Sequence, residues 1–191
     1  VFFFMLASVL GFGESSGGST LTQQLLKQQV LGDDPTFKRK SKEIIYALAL
    51  ERYMSKDEIL TDYLNVSPFG RNNKGQNIAG IEEAAQGIFG VRAKDLTVPQ
   101  AAFLAGLPQS PIVYSPYMSD GQLKSEEDMA YGLKRQKDVL YNMYRAGYLT
   151  KAEYEEYKSY NVVQDFKQPE AASTTSHDFL YYTVLSAAQD V

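Results

Sequence analysis

The sequence predicts an all-α domain, and three observations favour this fold class. Helix-start patterns, in which a hydroxyl residue is followed three positions later by Glu or Gln, recur along the chain, as at Ser55 with Glu58 and at Thr150 with Glu153. Apolar residues follow these starts at helical spacing. We find no run with the alternation of a β-strand and no internal repeat. At 191 residues the chain is long enough for one domain with a hydrophobic core.

The first predicted helix begins at Ser19 or Thr20 and ends near Leu31, before Gly32. Thr20 and Gln23 have the spacing of a capping box. A helix start presents free N–H groups and a positive dipole end, which suit an anion such as a diphosphate. On the residues alone, a loop followed by a helix cap is the more common meaning of this pattern.

The second predicted helix carries a seven-residue apolar run, with Asp34 as its cap and Pro35 at its first position. Residues 44–50 are apolar nearly all round, so we expect them to form a buried central helix. Glu43 stands at the start of this run, and Arg39 lies one turn earlier, where the two side chains can pair. From the residues alone, an exposed salt bridge of little energetic value is the common outcome.

Further helices are predicted over residues 55–65, 78–89, 99–107 and 125–146, and after Thr150. Residues 67–77 are rich in Gly and Asn, so we expect an irregular loop there. We interpret residues 55–65 and the small residues between 80 and 90 as scaffold. The composition after residue 164 is that of a linker, so we divide the chain into a domain, residues 1–164, and a linker, residues 165–191.

Composition excludes several classes of function. The net charge of −4 makes a nucleic-acid partner improbable. The chain has no cysteine, and its one histidine, His177, argues against a Ser-His-Asp triad or a multi-histidine metal site. Basic residues cluster between positions 27 and 42. This cluster either binds an anion or forms a helix face exposed to solvent. Residues 1–10 are apolar but too few to span a bilayer, which leaves a buried segment or one that enters a membrane interface.

Several motifs occur in a fixed order along the chain. They are Gly17-Gly18-Ser19-Thr20-Leu21-Thr22-Gln23-Gln24-Leu25, Arg39-Lys40-Ser41-Lys42-Glu43, Lys56-Asp57-Glu58-Ile59-Leu60-Thr61-Asp62-Tyr63-Leu64-Asn65, and Gly80-Ile81 with Ala84-Ala85 and Phe89-Gly90. In this order and spacing they resemble the peptidoglycan glycosyltransferase domain of class A penicillin-binding proteins, the family 51 glycosyltransferases. The resemblance covers about residues 17–160, and residues 67–77 resemble a streptococcal-type member.

The resemblance implies an all-α, lysozyme-like helical glycosyltransferase domain with a membrane-associated lobe, at the extracytoplasmic face of the cell membrane. The implied reaction joins a growing glycan strand, as donor, to lipid II, as acceptor, and releases undecaprenyl diphosphate. Glu43 matches a catalytic glutamate of the family. The substrate- or diphosphate-binding residues implied by the match are Ser19, Thr20, Gln24, Lys27, Arg39 and Lys40. We expect Glu43→Gln to reduce polymerisation sharply and to leave thermal stability nearly unchanged.

The resemblance also implies partners. These are lipid II, the growing glycan strand, the outer leaflet of the membrane, and cell-division or elongation proteins, with no nucleic acid among them. The sequence requires no cofactor and builds no dedicated metal site, although a divalent cation, Mg²⁺ or Mn²⁺, at the diphosphate is compatible with the family.

One motif of the family is absent from residues 1–191: a Glu-Asp pair followed by Phe and His, whose glutamate is the catalytic base. Glu14 is the only carboxylate before Gly17, and it has no Asp neighbour. We therefore expect the 191-residue chain alone to be inactive in polymerisation. The chain also contains no Ser-x-x-Lys and no Lys-Thr-Gly, so the linker is expected to lead towards a transpeptidase domain that these residues do not include.

Two other classes of function remain open at this point. A muramidase on a similar fold would need a carboxylic acid of raised pKa beside the scissile bond, and no carboxylate here has that setting by motif. A non-catalytic module that binds a lipid-linked precursor or a partner protein would explain the absence of the base-bearing motif.

Overall fold

The structure, a computed structural model, describes residues 20–31 and 36–170, and these residues form a mainly helical domain. Its helices are, in chain order, α1 Leu21–Leu26, α2 Phe37–Tyr53, α3 Lys56–Val66, α4 Ile81–Ala84, α5 Val98–Gly106, α6 Pro111–Tyr114, α7 Glu126–Arg145 and α8 Lys151–Ser159. Helices α1 and α4 continue as π-helical turns, Lys27–Leu31 and Ala85–Phe89, and short 3-10 turns occupy Ala93–Asp95, Leu107–Gln109 and Val162–Asp165. The prediction of a helical domain is confirmed.

Capping residues set the starts of several helices. The predicted capping boxes at the starts of α3 and α8 both form, since the Glu58 carboxylate accepts from Ser55 N at 2.7 Å and the Glu153 carboxylate from Thr150 N at 2.8 Å. Helix α2 begins after Thr36, whose hydroxyl accepts a backbone hydrogen bond. This start differs from the prediction, which placed the cap at Asp34 and the first helical residue at Pro35; both of those residues lie outside the described ranges.

The structure corrects the prediction that residues 67–77 are irregular. Strands β1 Pro68–Arg71 and β2 Asn77–Ala79 pair in antiparallel fashion, and residues 72–76 connect them. Phe69 and Ile78 point from this hairpin into the core. Each strand has only three or four residues, which is too few for an alternating pattern to stand out in a Gly- and Asn-rich sequence.

Helix α5 is the central helix of the domain. Two groups of buried side chains make up the core, the first between α1, α3, α5, α7 and α8, and the second between the hairpin, α4, α5 and the final 3-10 turn. Helix α5 contributes Ala101, Ala102 and Ala105 to the first group and Phe103 and Leu104 to the second. Because α5 has neighbours on all sides, nearly all of its residues are buried.

Helix α2 is not the buried central helix that its apolar run predicted. Within residues 44–50, Ala47 is buried, but Ile45 and Leu48 are 63% and 60% exposed. Helix α2 buries the face that carries Glu43 and Ala47, while Ile45 lies nearly opposite on the helix. An apolar circumference shows that a helix avoids water, but it does not show that protein neighbours surround it.

Residues 166–170 are attached to the domain although they form neither helix nor strand. Phe166 packs in the second core group, with its ring centroid 5.1 Å from that of Phe103. Lys167 N donates to Ile88 O at 2.8 Å, and Tyr117 Oη donates to Lys167 O at 2.7 Å. Ile88 lies at the end of the π-helical turn, where the last carbonyls of a helix have no partner within it.

Glu170 completes this attachment at the hairpin loop. Its N–H donates to Asn73 O at 2.9 Å, and its carboxylate accepts from Asn73 Nδ2 at 3.1 Å. Lys74 and Lys167 form ion pairs with the same carboxylate. Hydrogen bonds from Asn73 and from the two lysines lower the pKa of Glu170 to about 2. The domain boundary after residue 164 stays a prediction, but residues 165–170 pack as part of the helical unit.

Within residues 20–31 and 36–170, none of the helices combines the length and the apolar character that a bilayer span requires. The predictions made for residues 1–10, for Glu14 and for His177 fall outside the described residues.

Candidate active site

A carboxylate held between two cations lies on the buried face of α2. The Glu43 side chain is 2% exposed, and Arg39 Nη1 donates to its Oε2 at 2.5 Å. Lys40 Nζ donates to the other oxygen, Oε1. The spacings of three and four residues place all three side chains on one side of the helix. The predicted pairing of Arg39 with Glu43 is confirmed, but the pair is buried and not on an exposed helix face.

Glu43 is a stable anion. Burial by itself raises the pKa of this carboxyl group, but the hydrogen bonds and charges of Lys40 and Arg39 outweigh burial and hold the pKa below its ordinary value of 4.5. Glu43 therefore carries its charge at neutral pH. A carboxylate in this state can orient cations, but it cannot supply a proton to a leaving group.

The cations of this cluster stand where helix electrostatics disfavours them. Lys38, Arg39 and Lys40 occupy the first turn of α2, and that turn has no acidic residue. The N-terminal end of a helix carries partial positive charge, so cations there lower the stability of the helix. Departures from local stability rules of this kind concentrate at functional sites. The combined positive charge suits a diphosphate.

Helix α1 contributes the facing side of the cluster through Gln23. The Oε1 atom of Gln23 accepts a hydrogen bond from Lys40 Nζ at 3.2 Å. The predicted capping box is thus half formed: the Thr20 hydroxyl accepts from Gln23 N at 3.3 Å, while the Gln23 side chain turns to Lys40. The sequence pattern predicted only a capping role for Gln23, since its contact with Lys40 spans 17 positions and has no local signature.

Gln24 lies against α3. Its Oε1 atom accepts a hydrogen bond from the phenol of Tyr63 at 3.4 Å, and Tyr63 is fully buried. Tyr63 lies in the segment that the sequence assigned to the scaffold, and its spacing gave no indication that its hydroxyl meets a candidate binding residue.

Of the remaining predicted site residues, Lys27 and Thr20 belong to the described part of the chain and Ser19 does not. Lys27 begins the π-helical turn after α1, one helical turn beyond Gln23 and Gln24, and it is half-buried. Its role in binding the diphosphate stays a prediction. Thr20 is exposed, and Ser19 lies outside the described residues. Among residues 20–31 and 36–170, no three His, Cys, Asp or Glu side chains come together as they would around a metal ion.

Comparison with known proteins identifies the family. The profile of the transglycosylase family matches residues 4–144, which include the Arg39, Lys40 and Glu43 cluster. The chain belongs to this family, and its resemblance to the glycosyltransferase domain of class A penicillin-binding proteins is confirmed.

Its relatives include penicillin-binding protein 1A of Clostridium botulinum, which is 44% identical over 138 residues. That alignment covers 72% of this chain and 16% of the relative. Penicillin-binding protein 2a of Streptococcus pneumoniae is 43% identical over 148 residues, covering 78% of this chain and 18% of the relative. The chain therefore corresponds to less than a fifth of the length of either relative. Because the clostridial and streptococcal identities are nearly equal, the streptococcal-type assignment stays a prediction.

Among solved structures, penicillin-binding protein 1A from Haemophilus influenzae resembles the chain with a TM-score of 0.47 and 22% identity, over 87% of this chain and 19% of that one. A score at this level does not establish a shared fold, so the lysozyme-like architecture also stays a prediction.

Proposed function

We propose that this chain is part of a peptidoglycan glycosyltransferase that polymerises lipid II into β-1,4-linked glycan strands. In the proposed reaction the 4-hydroxyl of the acceptor GlcNAc attacks the anomeric carbon of the donor MurNAc, with inversion from α to β. The bond from that carbon to undecaprenyl diphosphate breaks, and the hydroxyl proton goes to a base. The observation that carries the proposal is the Arg39–Glu43–Lys40 cluster, which lies within the family match.

We assign the leaving-group side of this reaction to the cluster. Negative charge builds on the diphosphate as the glycosidic bond breaks, and cations already fixed in place stabilise that charge without reorganising. Arg39 and Lys40 supply the cations, with Lys27, in the π-helical turn after α1, as a third. Arg39 can bind two oxygens of a phosphate at once. Glu43 holds the two cations of α2 in position, so its role is to preorganise the site.

The charge state of Glu43 distinguishes this proposal from a muramidase. A muramidase needs a general acid, which stays protonated near neutral pH because its pKa is raised. Arg39 and Lys40 lower the pKa of Glu43, so Glu43 does not fit that role. The base of the family's first motif has no counterpart among residues 1–191, and we assign no base to this chain.

A divalent cation is not given a site in this proposal. Both Glu43 oxygens accept from cationic side chains, and the described residues assemble no group of three potential ligands. We propose that any Mg²⁺ or Mn²⁺ would bind to oxygens of the diphosphate itself, and no step depends on it.

We also propose that the outward face of α2 contacts the outer leaflet of the membrane. Ile45 and Leu48 lie side by side on one face of α2 and are both exposed, and neighbouring exposed apolar residues can mark a membrane contact. Lys38 and Arg52 lie on the same face of the helix and could contact anionic headgroups. This orientation would place the buried cluster within reach of a substrate whose lipid chain stays in the bilayer. Cell-division or elongation proteins remain proposed partners without an assigned surface.

Polymerisation of labelled lipid II, followed on gels, tests the reaction. Two polypeptides are compared: the 191-residue chain, and the same chain preceded by the Glu-Asp-Phe-His segment of a relative. We expect polymer only from the second, because a general base contributes about 10²–10⁴-fold. In that polypeptide Arg39→Gln should reduce the rate by about 10²-fold or more. Lys42→Gln is the control, because it also removes one positive charge but at an exposed position. It should have little effect on the rate of polymerisation.

Three outcomes would overturn parts of this proposal. Robust polymer from the 191-residue chain would show that another base exists, with Glu14 the first to replace. Full activity of Arg39→Gln would show that the cluster does not stabilise the leaving group. Precursor binding without turnover in the extended polypeptide would favour a binding module instead.

Sedimentation with phosphatidylglycerol vesicles tests the membrane face. We expect Ile45→Ser with Leu48→Ser to weaken binding while leaving helix content unchanged, because both side chains are exposed. Ile112→Ser is the control, since Ile112 is exposed on a different helix. Equal effects of the double and control substitutions would show that the face of α2 is not the contact.

A further inference from the structure

We propose that Gln23 is a positioning residue that holds the ammonium group of Lys40 for a bound diphosphate without cancelling its charge. This inference rests on the proposed function, because it assumes that Lys40 binds the diphosphate leaving group. It extends that proposal by giving a role to a neutral side chain of α1.

The contact between the two helices is the first part of the evidence. Lys40 Nζ donates to Gln23 Oε1 at 3.2 Å, and it also donates to Glu43 Oε1. One of these acceptors comes from α1 and the other from α2 itself. The bond to Gln23 therefore fixes the ammonium group relative to α1, the helix that also carries the predicted binding residue Gln24.

The Lys40 side chain benefits from such a support because it is long and partly exposed. It is 39% exposed, whereas the Arg39 side chain is 15% exposed. A lysine side chain that extends into water samples many rotamers, and ordering it when a ligand binds costs entropy. This cost is smaller when the ammonium group is already held in the unliganded protein, so prior fixation favours binding.

Gln23 makes this contact in place of a local one. At the third position of α1 its amide could accept from Thr20 N and complete a capping box, as Glu58 and Glu153 do at the starts of α3 and α8. The Thr20 hydroxyl accepts from Gln23 N at 3.3 Å, but between these two described residues the reciprocal bond is absent. A local stabilising bond is thus replaced by a contact with Lys40, and such departures concentrate at functional sites.

The neutral charge of Gln23 is the second part of the evidence. Arg39, Lys40 and the ionised Glu43 together carry one net positive charge. A glutamate at position 23 would accept more strongly from Lys40 and would complete the capping box, so stability alone favours glutamate there. The same glutamate would bring the net charge of the group to zero and would repel a diphosphate. Glutamine provides the acceptor and preserves the positive charge for the ligand.

Binding of farnesyl diphosphate to the 191-residue chain, measured by NMR titration, tests this role with two substitutions at one position. Gln23→Leu removes the acceptor and should weaken binding about 2- to 10-fold, the range for one hydrogen bond. Gln23→Glu keeps an acceptor but adds a negative charge, so it should weaken binding about 10-fold or more at low salt and less at high salt. In a Lys40→Met background, Gln23→Leu should cause no further loss, because Gln23 acts through Lys40.

Thermal unfolding of the same variants separates positioning from a structural role. Gln23→Glu should raise the melting temperature, because it can complete the capping box with Thr20 and places a negative charge in the first turn of α1. Gln23→Leu should not raise it. A residue with a purely structural role would change stability and affinity in the same direction, whereas Gln23→Glu is expected to raise the one and lower the other.

Gln29→Leu and Gln29→Glu are the matched controls. Gln29 is exposed in the π-helical turn that follows α1. The two substitutions make the same chemical changes in the same segment, but away from the contact with Lys40. Both should leave the dissociation constant nearly unchanged.

The outcomes separate this inference from the function it rests on. The positioning role would be overturned by an unchanged dissociation constant for Gln23→Leu, by an equal loss in the Lys40→Met background, or by affinity that falls together with the melting temperature in both Gln23 variants. Tighter binding by Gln23→Glu would overturn it as well. If Arg39→Gln weakens binding in the same titration, the diphosphate site itself stands whatever the substitutions of Gln23 do. If Arg39→Gln has no effect, or the unmodified chain does not bind saturably, the site and the positioning role fail together.

Discussion

Replacement of Glu43 by glutamine separates the two effects of the buried cluster, on stability and on turnover. Glutamine has nearly the same shape as glutamate but keeps only one acceptor oxygen. The other position becomes an NH₂ group, which would face either Arg39 or Lys40 donor to donor. The substitution therefore removes one charge-assisted hydrogen bond, weakens the second and removes the negative charge that Glu43 presents to both cations.

The magnitude follows from the burial of the three groups. Removing one partner of a fully buried ion pair costs about 3–5 kcal/mol. Here the carboxylate is buried, but the Arg39 and Lys40 side chains are 15% and 39% exposed and can recover part of their hydration. We expect a loss of about 2–3 kcal/mol, which for a chain of this length lowers the melting temperature by about 4–12 °C. The burial of the carboxylate thus leads us to expect a larger loss than the nearly unchanged stability expected from the sequence.

The pH dependence of this loss is also determined by the structure. The pKa of Glu43 is lowered in the folded state, so its contribution to stability is complete above the unfolded pKa and is lost as the pH falls through the folded pKa. The difference in stability between the unmodified chain and Glu43→Gln should be constant from pH 6 to 8. It should shrink as the pH falls below about 4.5.

Urea unfolding followed by circular dichroism, at several pH values, measures this difference. Glu51→Gln is the control on the same helix. Glu51 is exposed and accepts from Thr22 Oγ1 at 2.7 Å, a bond that glutamine can also accept, so its replacement should be nearly neutral. A loss at Glu43 no larger than at Glu51, or one that grows in acid, would refute the account of a buried anion between two cations.

Three further predictions concern the backbone and the attached tail. Gly147→Ala should cost about 1 kcal/mol by chemical unfolding, because Gly147 has φ 79° but open space around it. Gly80→Ala should cost clearly more, since a Cβ there would lie 2.8 Å from Asn65 O as well as requiring positive φ; equal losses would contradict the packing explanation. Glu170→Gln should speed hydrogen exchange of the residue-170 amide, whose N–H donates to Asn73 O, and unchanged exchange would show that the carboxylate does not hold the tail. In the unmodified chain the same amide should stay protected at pH 4 and lose protection as the pH approaches 2, because the pKa of Glu170 is lowered to about 2.

Local patterns were sufficient for the features that depend on neighbours within one helical turn. The capping boxes at Ser55 and Thr150, the α7 helix after Ser125 and the pairing of Arg39 with Glu43 all involve residues three or four positions apart. The ordered motifs also identified the family, because they depend on residue identity and spacing along the chain.

Contacts between distant segments were outside the reach of these patterns. The run of residues 44–50 is as apolar as a core helix, yet only packing determines that α5 is surrounded by neighbours and that α2 is not. In the same way, the hydrogen bonds from Lys40 to Gln23 and from Tyr63 to Gln24 span 17 and 39 positions.

The sequence by itself determined the helical class, the helix starts and the family, because each of these follows from interactions or identities that are local in the chain. The tertiary structure decided that Glu43 is a buried anion and not part of an exposed salt bridge. It also decided that Gln23 and Gln24 meet donors from α2 and α3. The physical reason is that burial and non-local hydrogen bonds depend on which helices pack together, and the chemistry of the cluster depends on both.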